Sequence, residues 1–409
     1  MKVSYGWVVV GAGMVMTCVG FGAMMALAVF LAPMAQQTGW SRSGISSVAT
    51  IDFLFMGIGS ILWGMLSDRI GSRRVVLIGG LLMAAGLIGA SWATTLLQLQ
   101  LTFGVLVGAA AGSFYAPMIA VATGWVEHRR NLAAALVSAG MGMGSMIVSP
   151  FAGWLLGQYD WRTAMLIVGI TAGCLVLLAA SLVRDPPGTV RGGAAMAPGP
   201  GADREYPLTA AQALFKPQFV VVALAHFACC AAHSGPIFHM VTYAAFCGLA
   251  PMVAVSVFSL AGLSGLGGRI GLGMIADRKG VKPTLVAGLI LQAASIATYA
   301  FVDTLPAFYV LAVVFGIAYG GVMPLYAVLI RDTFGPRIMG TMFGAVSLFA
   351  SLGMALGPGA GGFVFDTWGN YSRLYFGSFV VGLCAVAVAL MFRPARYGAS
   401  GQPLAMRPA

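Results

Sequence analysis

Residues 64–74 read GMLSDRIGSRR, and residues 273–282 read GMIADRKGVK. The two stretches lie 209 residues apart in a chain of 409 residues, and they share two glycines, an Asp-Arg pair and a basic position in the same register. A second echo pairs Gly108, Gly112 and Pro117 with Gly316, Gly320 and Pro324. A repeat over half the chain length predicts a duplicated unit, as in many transporters.

The composition predicts a chain embedded in lipid. Hydrophobic residues make up 59% of the chain and charged residues only 8%, whereas a soluble domain carries roughly 25% charged residues. The apolar runs are long enough to cross a bilayer as helices, which satisfy their own backbone hydrogen bonds in lipid. The first run is read as a span rather than a cleaved signal peptide, because it is too long for a signal core.

The pattern of apolar runs predicts an all-α membrane protein with twelve transmembrane helices in two pseudo-symmetric six-helix bundles. The predicted spans of the first half are 7–33, 44–66, 74–93, 98–124, 132–157 and 163–183. Those of the second half are 218–245, 251–275, 284–302, 306–329, 339–363 and 373–392. We expect a first half at 1–184, a flexible linker at 185–215, a second half at 216–395 and a tail at 396–409.

The distribution of Lys and Arg predicts the orientation. One set of connections, with both termini, carries 18 of these residues, and the other set carries only Arg42, Arg162 and Arg373. The basic side is expected to be cytoplasmic, which places both termini there, in a bacterial inner membrane. The net charge of +11 is therefore attributed to membrane orientation, and no nucleic-acid partner is expected.

No catalytic or metal-binding pattern is found. The six cysteines all lie inside apolar stretches, where they are expected to pack as small core residues. We find no nucleophile–base pair, metal-ligand spacing or phosphate loop. The chain is therefore not expected to be an enzyme or to bind a cofactor or metal, and a monomer in the lipid bilayer is expected.

The repeated loop resembles the signature of the major facilitator superfamily, whose loop acids and arginines pair across the halves and stabilise one access state. The resemblance covers the whole chain and implies that role for the motif residues here; the other interpretation is that the basic residues only set topology. The positions are Gly64, Asp68, Arg69, Gly71 and Arg73 in the first copy, and Gly273, Asp277, Arg278 and Gly280 in the second.

Arg269 is the strongest candidate for substrate binding. It lies eight residues before Asp277, which puts it about 12 Å from the cytoplasmic helix end, near the level where transporter sites lie. Ionisable groups at that depth are functional candidates by default, and a planar guanidinium matches a carboxylate. The alternative is a structural ion pair with Asp52.

Three other side chains are placed by the same arithmetic. Tyr115 and Tyr319 each lie 12 residues before the cytoplasmic end of their span, or about 18 Å, where a hydroxyl could bond a substrate or simply pack. Asp52 lies 16 residues before Asp68, roughly 24 Å up its helix, and is a candidate proton acceptor or a structural acid.

The segment His239-Met-Val-Thr-Tyr243-Ala, with Gly268-Arg269 thirty residues beyond His239, resembles bacterial monocarboxylate-transporter-like members of the superfamily. The resemblance implies that Arg269 binds the carboxylate, and that Tyr115 and His239 contribute to the pathway. The depth of His239 favours a gate or a proton-handling group near the periplasmic mouth, since histidine titrates closest to neutral pH.

The chain departs from relatives of this kind at three positions. Animal monocarboxylate carriers have a lysine where this chain has Met25 and an aspartate where it has Gly265, and oxalate/formate exchangers have a second basic residue in span eleven, whereas residues 339–363 contain no Lys or Arg. One fixed positive charge is balanced best by a singly charged substrate, because a dianion would leave a charge unpaired.

The sequence therefore predicts a secondary active transporter of a small monocarboxylate, with proton symport and alternating access. An organic-anion exchanger or efflux carrier of the same superfamily is the first alternative, because sequence does not set the direction of transport. A transporter-like membrane sensor is an alternative from another class, although the cytoplasmic segments are short.

Overall fold

The computed structural model describes residues 5–126, 130–185, 209–334, 338–393, 396–397 and 403–404. For Asp68, Arg130, Asn131, Met339, Gly340 and the residues after 393 it describes the backbone alone. Most of the predicted linker (186–208) and most of the predicted tail (398–402 and 405–409) lie outside the described residues.

The prediction of twelve transmembrane helices is confirmed: twelve helices in the described part of the chain are long and apolar enough to cross a membrane. The first six are α1 Tyr5–Thr38, α2 Arg42–Ile70, α3 Ser72–Ser91, α4 Leu96–Trp125, α5 Arg130–Leu156 and α6 Trp161–Ser181. The other six are α7 Pro217–Phe246, α8 Pro251–Lys279, α9 Val281–Tyr299, α10 Leu305–Phe334, α11 Met339–Trp368 and α12 Ser372–Met391.

Three smaller structural features accompany the twelve helices. The middle of α4, Gln100–Val107, is a π-helix, a widened turn that often marks functional sites. A short helix, Ala210–Leu214, precedes α7. Beyond α12, β1 (Arg396–Tyr397) pairs antiparallel with β2 (Pro403–Leu404).

Helix packing follows a pseudo-two-fold pattern. In the first half α1 packs on α5, α2 on α4 and α3 on α6; in the second half α7 packs on α11, α8 on α10 and α9 on α12. Between the halves, α2 packs on α11 and α5 packs on α8. Each contact of one half therefore has a counterpart six helices later, which is the arrangement expected from the internal repeat.

Glycines allow the closest of these approaches. A Cβ on Gly112 of α4 would lie 2.7 Å from the carbonyl oxygen of Met56 on α2, and one on Gly144 of α5 would lie 2.6 Å from the carbonyl oxygen of Cys18 on α1. In the second half, Gly320 and Gly357 meet the backbones of α8 and α7 in the same way. Small residues at such contacts let helix backbones pack closely without a hydrophobic driving force.

The two motif loops have the same backbone geometry. Gly71, between α2 and α3, has φ 90° and donates its N–H to Ser67; Gly280, between α8 and α9, has φ 89° and donates to Ala276. A side chain is disfavoured at positive φ, which explains the glycine in both motif copies. The side chains of Asp277 and Arg278 are exposed.

We name the two ends of the helical bundle by the parts of the chain that lie there. The terminal face holds Tyr5 and Met391, and the opposite face holds the connections α1–α2, α7–α8 and α11–α12. Hydrogen bonds between the halves, among the described residues, lie at the opposite face or near the middle of the helices. Apart from the bond between Arg269 and Ser138, these hydrogen bonds lie on the side away from the termini.

We predict that Gly112→Ala destabilises the fold, because the new methyl group would press on the backbone of α2, at a cost of about 1–3 kcal/mol. A lower melting temperature in detergent would show this effect. Gly377→Ala is the matched control, since a Cβ there meets nothing within 4 Å and alanine favours the helix. Equal melting temperatures for the two variants would contradict the close-packing account.

Candidate functional site

Arg269 lies between the two halves at an intermediate depth. It is ten residues before the end of α8 at Lys279, or about 15 Å from the terminal face. Its Nη1 donates a hydrogen bond of 2.9 Å to the main-chain carbonyl oxygen of Ser138 on α5. The guanidinium therefore reaches from the second half to the first half at the level where the two halves meet.

Most of the hydrogen-bonding capacity of Arg269 is unused. A guanidinium has five N–H donors, and the hydrogen bond found for this side chain goes to Ser138, while its Nε is buried without a partner. A Cβ on Gly142 would lie 3.8 Å from Cζ of Arg269, so a small residue faces the charged group. Within the described part of the chain, no carboxylate neutralises this cation.

Ser138 links Arg269 to Tyr115. The hydroxyl oxygens of Tyr115 and Ser138 are 3.3 Å apart, so one helix position bonds the arginine through its carbonyl and the tyrosine through its side chain. The sequence did not single out Ser138, because a serine in a helix rich in small residues gives no signal. The glycines of α5 near Ser138 were the only feature of the sequence that indicated a close approach of another helix.

Tyr319 approaches the same site from α10. Its hydroxyl oxygen would be 3.4 Å from a Cβ on Gly265 of α8, and the ring lies within electrostatic reach of Arg269. Because Gly265 has no side chain, the tyrosine hydroxyl takes the adjoining space. The structure therefore brings Tyr115, Tyr319 and Arg269 together, with Ser138 between α4 and α8.

His239 is not part of this group. It lies 22 residues along α7 from Pro217, or about 33 Å from the terminal face, roughly 18 Å farther out than Arg269. The side chain is fully buried, its Nε2 is 2.9 Å from the carbonyl oxygen of Pro358 on α11, and its Nδ1 has no partner.

Asp52 is enclosed within the first half. Its side chain has no exposed surface, and neither carboxyl oxygen has a hydrogen-bond partner. The carboxyl group lies against Gly108 of α4, directly after the π-helical segment. Asp52 forms no ion pair with Arg269, whose hydrogen bond goes to Ser138, so the structural-pair alternative for Arg269 does not hold in this conformation.

The opposite face is closed by a polar contact between α2 and α11. The carboxylate of Asp366 on α11 accepts hydrogen bonds from the backbone N–H groups of Arg42 (3.2 Å) and Ser43 (2.8 Å) at the start of α2. An acid at a helix N-terminus is favourable because the first N–H groups have no partner within the helix. One half thus caps a helix of the other half.

The side chain of Arg42 strengthens this closure. Its guanidinium lies 3.7 Å from the centre of the Phe365 ring and donates a hydrogen bond of 2.8 Å to the hydroxyl of Tyr371. Closer to the middle of the helices, Thr50 of α2 donates to the carbonyl of Ala355 at 2.7 Å and accepts from the N–H of Gly359 at 3.2 Å. The contact of Arg42 with Phe365 and the two hydrogen bonds of Thr50 join α2 to α11, so they hold the halves together on this face.

Comparison with known proteins gives the family. The sequence model of the Major Facilitator Superfamily matches residues 13–281 and 271–408. Twelve membrane-spanning helices in two related halves fit this family, and the match covers most of the chain. The chain therefore belongs to the Major Facilitator Superfamily and is a multi-pass membrane transporter.

Two relatives that are similar over most of the chain are named monocarboxylate transporters. Monocarboxylate transporter 13 of Rattus norvegicus is 28% identical over 399 residues, which cover 94% of this chain and 89% of that protein. Monocarboxylate transporter 3 of Rattus norvegicus is 30% identical over 383 residues, covering 91% and 76%.

A solved structure supports the fold. A bacterial homologue of the human lysosomal transporter Spinster, inward-facing and unoccupied, has a TM-score of 0.77 at 15% identity and covers 96% of this chain and 98% of that one. At this identity the similarity concerns the fold alone.

We predict that Asp366→Asn loosens the opposite face. Losing a charged helix cap costs about 1 kcal/mol, which is roughly a fivefold shift in the balance between closed and open forms. Double electron–electron resonance between spin labels at Gln37 and Thr367, in a variant without the six free cysteines, would show a larger long-distance population. Asp303→Asn, which changes an exposed acid on the same face, is the control. The same distribution of label distances in the wild type, Asp366→Asn and Asp303→Asn would contradict the role of Asp366 as a cap.

Proposed function

We propose that this chain transports a small monocarboxylate across the membrane together with a proton, by alternating access. The observation that carries the proposal is the guanidinium of Arg269, which lies between the halves with a buried, unpartnered Nε and a neutral carbonyl as its partner. Relatives named monocarboxylate transporters, 28% and 30% identical over most of the chain, support a carboxylate as the cargo.

A carboxylate would replace the Ser138 carbonyl as the partner of Arg269. Hydrogen bonds between a guanidinium and a carboxylate are shorter and stronger than those to a neutral carbonyl, and two can form side by side. The hydroxyls of Tyr115 and Tyr319 lie beside this position and would bond the second carboxylate oxygen or a substrate hydroxyl. Gly142 and Gly265 leave room for the rest of a compact molecule.

The charge of the site favours a singly charged substrate. One carboxylate neutralises Arg269, so that the loaded site can rearrange without a bare charge in an apolar environment. A dianion would leave one negative charge unpaired at a cost of several kcal/mol. Met25, at the position where animal carriers have a lysine, is buried and apolar, and it adds no second positive charge.

Proton coupling needs a group that can hold a proton inside the protein. Asp52 and His239 are the candidates from the sequence, and both have buried side-chain atoms without partners. An unpartnered ionised carboxylate is costly in such surroundings, so Asp52 is expected to be neutral in this conformation. Either residue would act at a distance from Arg269, through the helices that carry it.

The orientation and the two access states complete the proposal. We place both termini in the cytoplasm of a bacterial cell, because the terminal face carries most Lys and Arg residues, so the closed opposite face is periplasmic. In the other state, Asp68 and Arg69 of one half and Asp277 and Arg278 of the other would hold the terminal face together. In this conformation the side chains of Arg69, Asp277 and Arg278 are exposed.

An organic-anion exchanger or efflux carrier would use the same cation and differ only in what drives the cycle. A ligand sensor would bind at Arg269 without transport. A monomer is sufficient for each of these functions, because the site is formed within one chain.

We predict that Arg269→Gln weakens the binding of a monocarboxylate by about 100-fold, since a pair of charge-assisted hydrogen bonds is lost, and that Arg269→Lys weakens it by roughly tenfold. Thermal-shift titration of the purified protein with pyruvate, L-lactate and benzoate measures this. Arg373→Gln, an exposed arginine at the opposite face, should bind like the wild type. Unchanged binding by Arg269→Gln would contradict the assignment.

A second prediction concerns the proton. Labelled pyruvate should accumulate in proteoliposomes about tenfold for each pH unit by which the lumen is more alkaline than the outer solution. The reason is that a difference of one pH unit is worth 1.36 kcal/mol per coupled proton. Protein-free liposomes and Arg269→Gln correct for diffusion of the undissociated acid. If a pH gradient leaves the protein-dependent flux unchanged, symport is wrong and exchange or uniport replaces it.

A further inference from the structure

Two histidine–tyrosine pairs connect the Arg269 site to the interior of the second half. On α7 and α10, His226 stacks on Tyr326 with ring centroids 4.0 Å apart, and His233 lies beside Tyr319 with centroids 5.5 Å apart. Both histidines and both tyrosines are seven residues apart, which is about two helical turns. The pairs therefore form two layers along one side of α7.

His233 has one nitrogen that is ready to accept a proton. It is 3% exposed, and its Nδ1 lies 2.8 Å from the carbonyl oxygen of Cys229. A carbonyl can only accept, so in the neutral ring Nδ1 carries the hydrogen and Nε2 carries the lone pair. Gln292 of α9 also donates to Cys229, at 3.2 Å, and this fixes the carbonyl in place.

Tyr319 links the surroundings of His233 to Arg269. The titratable groups facing the two rings are Cys229 and Cys230 of α7 and Tyr319 and Tyr326 of α10, all neutral at pH 7, and Arg269 of α8 acts on Tyr319. The other described helices packed on α7 carry charges only at their ends: Lys282 on α9, Asp366 on α11 and Arg373 on α12, while α1 has none.

We expect the occupancy of Arg269 to affect the proton affinity of His233. With Arg269 bare, a second positive charge nearby is disfavoured by Coulomb repulsion, which is strong in low-dielectric surroundings. A carboxylate bound to Arg269 cancels this repulsion. Tyr319 lies beside His233 and within electrostatic reach of Arg269, so this effect needs no contact between the histidine and the substrate.

We propose that His233 binds the transported proton, with Nε2 taking it up when a carboxylate occupies Arg269, and that His226 and Tyr326 continue the proton route toward the terminal face. The proton comes from water, adds to the Nε2 lone pair and returns to water when the carboxylate leaves. This inference rests on the proposed function and assigns its proton to a residue beside the substrate site, where neither Asp52 nor His239 lies.

His226 supports the second part of this route. It is 4% exposed, and neither of its ring nitrogens has a hydrogen-bond partner. Beyond its stacked partner Tyr326, a cavity of about 10 Å³ is lined by Ala225, Lys282 and Phe392, among others. Lys282 and Phe392 lie close to the terminal face, so the cavity extends from Tyr326 in that direction.

Proton uptake on ligand binding tests the proposal directly. Pyruvate is added to the purified full chain in weakly buffered detergent solution with a pH indicator, and bound pyruvate is counted separately. The wild type should take up a proton when it binds pyruvate near neutral pH. His233→Gln should still bind pyruvate, but it should take up at least fivefold fewer protons per bound pyruvate than the wild type. Arg373→Gln, an exposed arginine at the opposite face, is the control and should take up as much as the wild type, while Asp52→Asn and His239→Gln are measured in parallel to test the two other candidates.

Each other outcome has a definite meaning. Equal uptake by His233→Gln and the wild type overturns the role of His233 while leaving symport intact. Binding without uptake by the wild type overturns both symport and this inference, and loss of uptake in Asp52→Asn or His239→Gln alone moves the proton to that residue.

The wild type gives a readout that needs no variant. The chain has four histidines, so selective ¹⁵N-histidine labelling gives few nitrogen signals. Adding pyruvate should protonate one imidazole whose neutral form carries hydrogen on Nδ1, as expected for His233. If no histidine signal changes its protonation state while pyruvate binds, the proposal is wrong even if His233→Gln fails to fold.

Discussion

A positive charge that cannot leave the protein interior is the constraint on which the rest of the structure depends. Arg269 is always ionised, and isolated charges in low-dielectric surroundings are costly. The fold places it between the two halves, where it takes a main-chain carbonyl of α5 as a partner and leaves its buried Nε unpaired. An anion that enters would stabilise such an arrangement, which is why we propose that the site receives one negative charge.

In the proposed function, the same hydrogen bond would couple binding to the relation between the halves. Arg269 belongs to α8 and Ser138 to α5, and the packing of these helices is one contact between the halves; another is the packing of α2 on α11, which Asp366, Arg42 and Thr50 hold closed. In the proposed cycle, a carboxylate that takes Arg269 away from Ser138 would weaken the first contact and leave the second intact. It would thereby change the balance between conformations through the bond it replaces, as differential binding requires.

The sequence predicted features that depend on one helix at a time. Twelve spans follow from hydropathy, Gly71 and Gly280 mark two turns of equal φ, and residue counting placed Arg269, Tyr115 and His239 at suitable depths. Depth along a helix does not give the direction in which a side chain points. Asp52 was placed in the outer half of the membrane, and only the packing of α2 on α4 shows that its carboxyl group faces Gly108 rather than the space between the halves.

Contacts between distant segments were beyond sequence reasoning. Ser138 acquires its position beside Arg269 from the packing of α5 on α8, and His233 its position beside Tyr319 from the packing of α7 on α10; no local pattern encodes either. The cap of α2 by Asp366 joins residues more than 320 positions apart. Each is a polar group whose partner is fixed by tertiary structure, whereas the glycine turns and apolar runs are fixed by local geometry and composition.

A structure of the chain with bound 4-bromobenzoate tests the central claim most directly, because the bromine marks the ligand by anomalous scattering. The account predicts that its carboxylate lies within hydrogen-bonding distance of the Arg269 guanidinium, with the bond to the Ser138 carbonyl broken. A bromine signal elsewhere, with Arg269 still bonded to Ser138, would contradict it.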